Sequence, residues 1–171
     1  MDISVSIRAL DDTADRGRFT CGVEALDGWL RRQAGQAQRR RLASVWVASP
    51  KTRPETLLGY YSLAPWQVAF EECAEKLRRG LPRYPVPVTL IARLAVAASE
   101  QGKGLGGILL VDALRRAHAA SESVPVHAVL VHAKDEKAAG FYGHYGFLPF
   151  PRQRFWLYLP MGSVNALIAG R

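Results

Sequence analysis

The 171-residue sequence contains little cysteine, and its two cysteines form no recognisable pattern. Cys21 and Cys73 lie far apart and no CxxC pair occurs, which argues against a disulfide framework or a zinc site. We therefore expect two free thiols. The four histidines are scattered without the spacing of metal ligands, so no metal site is predicted.

Long apolar runs are also missing. No segment reaches the length that crosses a bilayer, so no membrane partner is expected. The N-terminus lacks a basic stretch followed by an apolar core, and a signal peptide is not predicted. These absences together favour a cytoplasmic protein. The length, without repeats or a linker, suits a single domain spanning residues 1–171.

Acidic residues are outnumbered, with 15 of them against 23 lysines and arginines, and the net charge is +8. A strong basic excess on a small domain indicates an anionic partner. A single small anion would not need this much charge, so nucleic acid is the larger candidate. Simple solubility is the alternative.

Glycine is concentrated between Gln101 and Gly107, and four residues separate this segment from the end of an apolar run from Val88 to Val96. A helix is predicted to follow. A glycine-rich loop that leads into a helix presents unpaired backbone N–H groups together with the positive end of the helix dipole. We therefore predict that residues 101–107 bind a phosphate or pyrophosphate.

Two common phosphate loops do not fit this segment. The P-loop requires a Lys-Ser or Lys-Thr pair after its glycines, and none of that kind is present. Gly102, Gly104 and Gly107 have the spacing of the dinucleotide fingerprint G-x-G-x-x-G, but that fingerprint follows an early strand of its fold, and no early strand precedes these glycines. The pattern that remains is Q-x-x-G-x-G, formed by Gln101, Gly104 and Gly106. An ordinary glycine-rich turn is the alternative interpretation.

Hydrophobic periodicity predicts an alternation of strands and helices. Strands are predicted at 3–7, 42–48, 57–69, 88–96, 126–132 and 155–159. Helices are predicted at 23–40, 71–79, 104–120 and 135–145, an extended connector at 81–87, and a fraying end at 162–171. Because a strand, a helix and a strand of these lengths form a crossover unit, the strands at 88–96 and 126–132 should be parallel.

A second motif lies on and after the last predicted helix. Phe141 and Tyr142 are followed by Gly146 and Phe147, in the pattern F-Y-x-x-x-G-F. Core packing is the alternative interpretation, because it is the commoner role of aromatic residues on a helix. The two motifs, Q-x-x-G-x-G followed by F-Y-x-x-x-G-F, lie on a predicted strand–helix–strand–helix segment. Together they are much more specific than either motif alone. The pair of motifs resembles the GNAT acetyltransferases.

Several other segments resemble one branch of that family, the GNAT-fold toxins of bacterial type II toxin–antitoxin modules. These segments are residues 21–34, 59–64, 85–96 and 131–138, and the resemblance extends over residues 7–159. Two positions depart from the pattern. Ala92 stands where the branch often has glycine, and Asp135 stands where the wider superfamily often has asparagine. The second departure argues against a polar contact with the cofactor from that position.

The resemblance implies an α/β fold of the GNAT type, in which a mixed central sheet splays at two parallel strands between flanking helices. In that fold the pantetheine arm of acetyl-CoA enters between the splayed strands, and the glycine-rich loop holds its pyrophosphate. The tyrosine that gives its proton to the CoA thiolate corresponds to Tyr142. The residues implied to bind acetyl-CoA are Leu94, Ala95, Val96, Gln101, Gly102, Lys103, Gly104, Leu105, Gly106, Gly107 and Phe141.

The resemblance further implies a toxin that acetylates the amino acid on aminoacyl-tRNA, blocks translation and is neutralised by a ribbon-helix-helix antitoxin. No carboxylate stands out as a base. This mildly favours an α-amine, with a pKa of about 7.7–8.0, over a lysine amine of about 10.4. A basic flank would receive the tRNA. Its candidate residues are Arg31, Arg32, Arg39, Arg78, Arg79 and Arg83.

Two other functions remain open at this point. The same cofactor site would serve an acetyltransferase that modifies a small amine or a protein N-terminus. The second alternative is a CoA-binding protein without enzymatic activity, which acts with an antitoxin in a DNA-binding repressor complex. An intact Tyr142 argues against this alternative. The sequence does not determine whether the chain forms a homodimer.

Overall fold

The computed structural model describes residues 4–170 as an α/β fold with a mixed sheet. The strands are β1 (Val5–Ala9), β2 (Ser44–Pro50), β3 (Gly59–Val68), β4 (Val86–Val96), β5 (Ala128–His132), β6 (Leu148–Pro149) and β7 (Trp156–Pro160). The α-helices are α1 (Glu24–Arg32), α2 (Ala34–Arg39), α3 (Glu75–Arg78), α4 (Leu105–Ser121), α5 (Glu136–His144) and α6 (Met161–Ala169).

The described strands form a sheet in the order β1-β2-β3-β4-β5-β7-β6. β4 and β5 run parallel, from Val88 opposite Ala128 to Ile91 opposite Val131. The pairs β1/β2, β2/β3, β5/β7 and β6/β7 are antiparallel. The predicted parallel crossover is therefore confirmed, and so is the mixed sheet with flanking helices.

The chain divides into two compact units, each with buried apolar residues. One comprises residues 4–64 and 92–113, and the other comprises residues 65–91 and 114–170. In the first unit, Leu30 on α1 and Ala34 on α2 are fully buried in a cluster with Val45 and Tyr60. Apolar residues at helical spacing direct one stripe of these two helices toward the strands.

The second unit is organised around β5. Residues Ala128 to Val131 have no exposed surface, as expected for an apolar strand that is covered on both faces. Helices α5 and α6 contact β7. Val164 on α6 is also fully buried, so this helix is anchored by its apolar side.

Both cysteines are free and buried, which confirms the prediction of free thiols. Desolvation raises the pKa of Cys21 to about 11 and also raises the pKa of Cys73. Within the described part of the chain, no cluster of three histidine, cysteine or acidic side chains is placed to hold a metal ion. None of the described helices has the length and apolar character needed to cross a membrane.

The helix predicted at 23–40 is divided in two. Gln33, with φ −123° and ψ −29°, ends α1 and begins α2. Gly28 and Gly35 flank this break, and glycine is a poor helix former.

Two other predictions were wrong. The helix predicted at 71–79 is a 3₁₀ turn at Phe70–Glu72 followed by α3, because the intervening Cys73 is extended and buried. The fraying end predicted at 162–171 is largely helix α6. Strand β6 was not predicted, since two residues carry no periodicity. Ile3 and Arg171, at the ends of predicted segments, lie outside the described residues.

Candidate active site

The parallel ladder between β4 and β5 ends at Ile91 and Val131, whereas β4 continues to Val96. Beyond Ile91 the backbone of β4 is therefore outside that ladder. Leu94 and Val96 are partly exposed and Ala95 is buried. A strand edge with free N–H and C=O groups can pair with an extended ligand as it would with another strand. The residues predicted to bind pantetheine lie in this part of β4, where the Val96 carbonyl oxygen already accepts a hydrogen bond from the Gln101 side chain.

The predicted phosphate loop leads from a 3₁₀ turn at Ala98–Glu100 into α4. Gly102 and Gly104 have φ values of +79° and +89°, which side chains rarely tolerate. The first helical bond of α4 is donated by Ile108 to Gly104. The N–H groups of the three preceding residues, 105–107, have no partner within the helix. The loop therefore presents the backbone donors that an anion requires.

Two charged or polar side chains of the loop have protein partners. The Gln101 amide donates to the carbonyl oxygens of Cys21 at 2.9 Å and Val96 at 3.0 Å. The Lys103 ammonium lies 3.5 Å from the Glu100 carboxylate and remains mostly exposed. Gln101 therefore supports the loop, while Lys103 is accessible to a ligand.

Gly59 on β3 is a close-packing site that the sequence analysis did not single out. A β-carbon placed there would lie 2.8 Å from Leu109 Cδ1 and 2.9 Å from the Ala95 carbonyl oxygen. Real β-carbons do not approach other atoms so closely. The glycine lets α4 and β4 pack directly against β3.

Tyr142 lies on α5 in the second unit and is 8% exposed. Its ring centroid is 5.1 Å from that of Phe141 and 5.6 Å from that of Phe147. Desolvation raises the pKa of the Tyr142 hydroxyl, so this group stays protonated at neutral pH. No residue within 4–170 forms a hydrogen bond with it. The hydroxyl is chemically suited to give a proton to a thiolate.

Asp135 has a local structural role. It is the N-cap of α5, and its Oδ1 accepts a hydrogen bond of 2.8 Å from the backbone N–H of Ala138. That hydrogen bond lowers the pKa of the carboxyl. The structure therefore gives this departure from the superfamily pattern a function in the helix that carries Tyr142.

His132 ends β5 within an aromatic cluster. Its ring is stacked on Trp156, with centroids 4.2 Å apart, and meets Trp66 edge-on at 6.3 Å. Desolvation lowers the pKa of His132, so the imidazole is neutral at physiological pH.

The predicted nucleic-acid residues fall into both units. On α1 of the first unit, Arg31 and Arg32 share Glu24, at 3.0 Å and 3.7 Å. Arg39 is exposed on α2. Part of the positive charge on α1 is therefore balanced by one carboxylate.

In the second unit, the guanidinium carbons of Arg78 and Arg83 lie 5.3 Å and 5.8 Å from the ring centroid of Phe70. Together with Arg79 they line a groove of about 410 Å³. Glu71 and Glu75 also line it. We call Arg78, Arg79 and Arg83 the arginine groove. Three of the six arginines predicted as one basic flank are thus brought together, whereas Arg31, Arg32 and Arg39 do not line this groove. Phe70 also lines it, and no sequence pattern had indicated that residue.

Comparisons with known proteins identify the family of the chain. The model of the acetyltransferase (GNAT) domain matches residues 41–149. The chain is 37% identical over 161 residues to the tRNA-acetylating toxin of Mycobacterium tuberculosis (strain ATCC 25618 / H37Rv), covering 94% of this chain and 95% of that protein.

Two solved structures are similar over nearly the whole chain. AtaT complexed with acetyl-methionyl-tRNAfMet has a TM-score of 0.88 at 28% identity, with 96% of this chain and 99% of that chain covered. A mutant AtaT toxin bound to the C-terminus of the antitoxin AtaR and acetyl-CoA has a TM-score of 0.80 at 29% identity, with 95% and 97% covered.

Proposed function

The chain belongs to the GNAT acetyltransferase family, and from this premise we propose that it transfers the acetyl group of acetyl-CoA to the α-amino group of aminoacyl-tRNA. The observation that carries the proposal is the similarity, over 94% of this chain, to a relative named for tRNA acetylation. Acetylation of that amine would block translation, and the protein would act as a toxin.

We propose that residues 1–171 act as one catalytic domain, in which each predicted site residue has its own part in the reaction. The loop at Gln101–Gly107 binds the pyrophosphate of acetyl-CoA through backbone N–H groups, with charge added by Lys103. The backbone of Leu94, Ala95 and Val96 bonds the pantetheine arm. Phe141, half-buried beside Tyr142, contributes apolar surface to the same substrate.

The chemical step needs an attacking amine, stabilisation of an oxyanion and a proton for the departing thiolate. The amine nitrogen bonds to the thioester carbon, and the carbonyl oxygen gains negative charge. A backbone N–H of the β4 edge stabilises that oxygen, an effect of roughly 3–4 kcal/mol for one donor in other enzymes. The C–S bond then breaks, and the Tyr142 hydroxyl protonates the sulfur. The nitrogen releases one proton to water as it becomes an amide, and the tyrosinate takes a proton back from water, so that the products are the amide and the free thiol.

An α-amine is the acceptor that suits this site best. Its pKa of about 7.7–8.0 leaves a large neutral fraction near physiological pH, so it needs little help from a base. A lysine amine, at about 10.4, would need more. The arginine groove, with Arg31, Arg32 and Arg39, is proposed to bind the tRNA backbone.

We extend the proposal to partners and location. AtaT, a similar structure, is bound to the C-terminus of its antitoxin AtaR, which supports an antitoxin partner for this chain as well. We propose that this antitoxin is a ribbon-helix-helix protein and that the complex is cytoplasmic. A homodimer is a further proposal, which sedimentation of the purified protein would test.

The direct test incubates the protein with radiolabelled acetyl-CoA and total tRNA, either charged or deacylated. We expect label on the charged tRNA alone, recovered as an N-acetylated amino acid after mild alkaline hydrolysis. Label on a small amine or a protein N-terminus, with charged tRNA unlabelled, would contradict the proposal. So would tight binding of acetyl-CoA with no transfer to any of these acceptors.

A further inference from the structure

Arg93 is a half-buried cation on β4, directly before the Leu94–Val96 edge. Within residues 4–170, no carboxylate forms an ion pair with its guanidinium and no acceptor forms a hydrogen bond with it. Desolvation lowers the pKa of Arg93. The side chain has therefore lost part of its water without gaining an anion, an arrangement that favours binding of an anionic ligand.

The guanidinium of Arg93 is held on an aromatic stack. Its carbon lies 3.9 Å from the ring centroid of Trp29. The Trp29 ring is parallel to that of Tyr60 within 10°, and the Tyr60 hydroxyl donates to the Leu26 carbonyl oxygen at 2.7 Å. Stacking uses the flat face of a guanidinium and leaves the N–H groups on its edge able to donate. Arg93 is thus oriented while its donors remain available.

Arg93 and α4 lie on opposite faces of the strands in the first unit. Successive side chains of a strand point to opposite faces. Tyr60 of β3 stacks with Trp29 on α1, whereas the hydroxyl of Tyr61 donates to Asp112 on α4. Because Arg93 contacts Trp29, it shares the α1 face. A phosphate bound by Arg93 is therefore distinct from the pyrophosphate proposed at the N-terminus of α4.

We propose that Arg93 binds a backbone phosphate at the 3′ end of the acceptor tRNA, with Trp29 holding the guanidinium in position. The inference rests on the proposed function, because the amino acid to be acetylated must reach the thioester beside Leu94–Val96. The terminal phosphates of the tRNA arrive with it. The planar fork of arginine matches two phosphate oxygens, which the ammonium of lysine does not.

The test compares Arg93→Met and Arg93→Lys with the control Arg18→Gln, which removes one charge from an exposed residue paired with Asp15. Binding of uncharged tRNA is measured by fluorescence anisotropy at several salt concentrations. We expect Arg93→Met to weaken binding about tenfold and to reduce the slope of log affinity against log salt by about one. Arg93→Lys should restore the slope but only part of the affinity. The KM for acetyl-CoA should stay unchanged.

A second arm uses tRNA that carries a methylphosphonate at one of its last linkages. The neutral linkage should weaken binding to the wild type and add nothing to the loss in Arg93→Met, because both changes remove one interaction. Unchanged tRNA affinity with a lowered Tm would overturn the inference, since Arg93 would then only pack on Trp29. A defect confined to the KM for acetyl-CoA would overturn it too, because the phosphate would belong to CoA.

Failure of the proposed function gives a different pattern. A wild-type protein that binds tRNA through Arg93 but acetylates no charged tRNA would contradict the proposed reaction and support the phosphate contact. If Arg93→Met acetylates charged tRNA as efficiently as the wild type, this result would contradict the phosphate contact and support the proposed reaction.

Discussion

The side-chain amide of Gln101 donates to the carbonyl oxygen of Cys21, a residue 80 positions earlier in the chain, at 2.9 Å. The same amide donates to Val96 at the end of β4. One side chain therefore ties the glycine-rich loop both to the strand edge and to the segment that leads into α1. Gln101 therefore stabilises the position of the loop, and the backbone N–H groups of the residues that follow it remain available to the substrate.

Gln101→Leu removes both donors at nearly constant size. The carbonyl groups of Cys21 and Val96 lose their partner, which costs roughly 1 kcal/mol for each bond. We expect the Tm to fall by several degrees and the KM for acetyl-CoA to rise about tenfold as the loop loosens. Gln36→Leu, at an exposed position of α2, is the matched control. A normal KM for acetyl-CoA in Gln101→Leu would show that the loop needs no such support.

Tyr142→Phe removes the proposed proton donor and keeps the ring packing with Phe141 and Phe147. General acids contribute about 10²–10⁴-fold to enzymatic rates, so turnover should fall within that range. The affinity for acetyl-CoA, measured by calorimetry, should remain near the wild-type value. Tyr84→Phe, on a side chain that is 72% exposed, should change neither quantity. Normal turnover of Tyr142→Phe would exclude this hydroxyl as the acid.

Gly59→Ala tests the close packing of β3 against α4 and β4. The added methyl group would meet Leu109 Cδ1 and the Ala95 carbonyl oxygen below 3.0 Å. Overpacking of this kind costs about 1–3 kcal/mol in the free energy of unfolding. Gly140→Ala on α5 has no neighbouring atom within 4 Å and should stabilise the helix by about 0.5–1 kcal/mol. Equal denaturation midpoints for the two variants would contradict the packing argument.

Asp135 should make the stability of α5 depend on pH. The hydrogen bond from the Ala138 N–H lowers the folded pKa of the carboxyl below its unfolded value of about 3.9. The contribution is therefore present above about pH 4 and is lost as the pH falls through the folded pKa. Asp135→Ala should lower the Tm at neutral pH, and this difference should disappear in acid.

Asp135→Asn is the control for the pH effect, since asparagine also caps helices but does not titrate. Its Tm should be close to that of the wild type at neutral pH and at least equal to it in acid. If Asp135→Ala has the Tm of the wild type throughout the pH range, the Asp135 cap does not stabilise α5.

Charge reversal in the arginine groove should affect tRNA and leave acetyl-CoA unaffected. Arg78→Glu combined with Arg79→Glu should weaken tRNA binding and reduce its salt dependence, because fewer phosphates are neutralised. Hydrolysis of acetyl-CoA should be unchanged. The matched control is Arg18→Glu combined with Arg152→Glu, which makes the same change in net charge at two exposed positions outside the groove. Equal tRNA affinities of the two double variants would place the tRNA outside the groove.

Local patterns were sufficient to predict the elements that position the site. The apolar run of β4 and the helical spacing of α4 come from neighbouring residues, and the parallel pairing of β4 with β5 follows from the length between them. The glycine pattern predicted the loop, and Gly102 and Gly104 do adopt positive φ. These features depend on short stretches of chain, where sequence carries the information directly.

Long-range contacts could not be predicted in this way. The stack of Arg93 on Trp29 joins residues whose proximity depends on the order of the strands. Gln101 fits the loop motif by sequence, but its bonds to Cys21 and Val96 appear only in the folded chain. Helix α6 was missed because burial of Val164 against the rest of its unit outweighs the weak local preference of the segment.

The distribution of the two thiols has a practical consequence. Cys21 lies in the first unit and Cys73 in the second, and both are inaccessible in the folded chain. A thiol-reactive dye should therefore label each residue only when its own unit opens. Mass spectrometry of the two labelled peptides would give separate opening rates for the unit that carries the glycine loop and the unit that carries Tyr142. The protein thus contains a native pair of probes that would show whether substrate binding changes the opening rate of each unit.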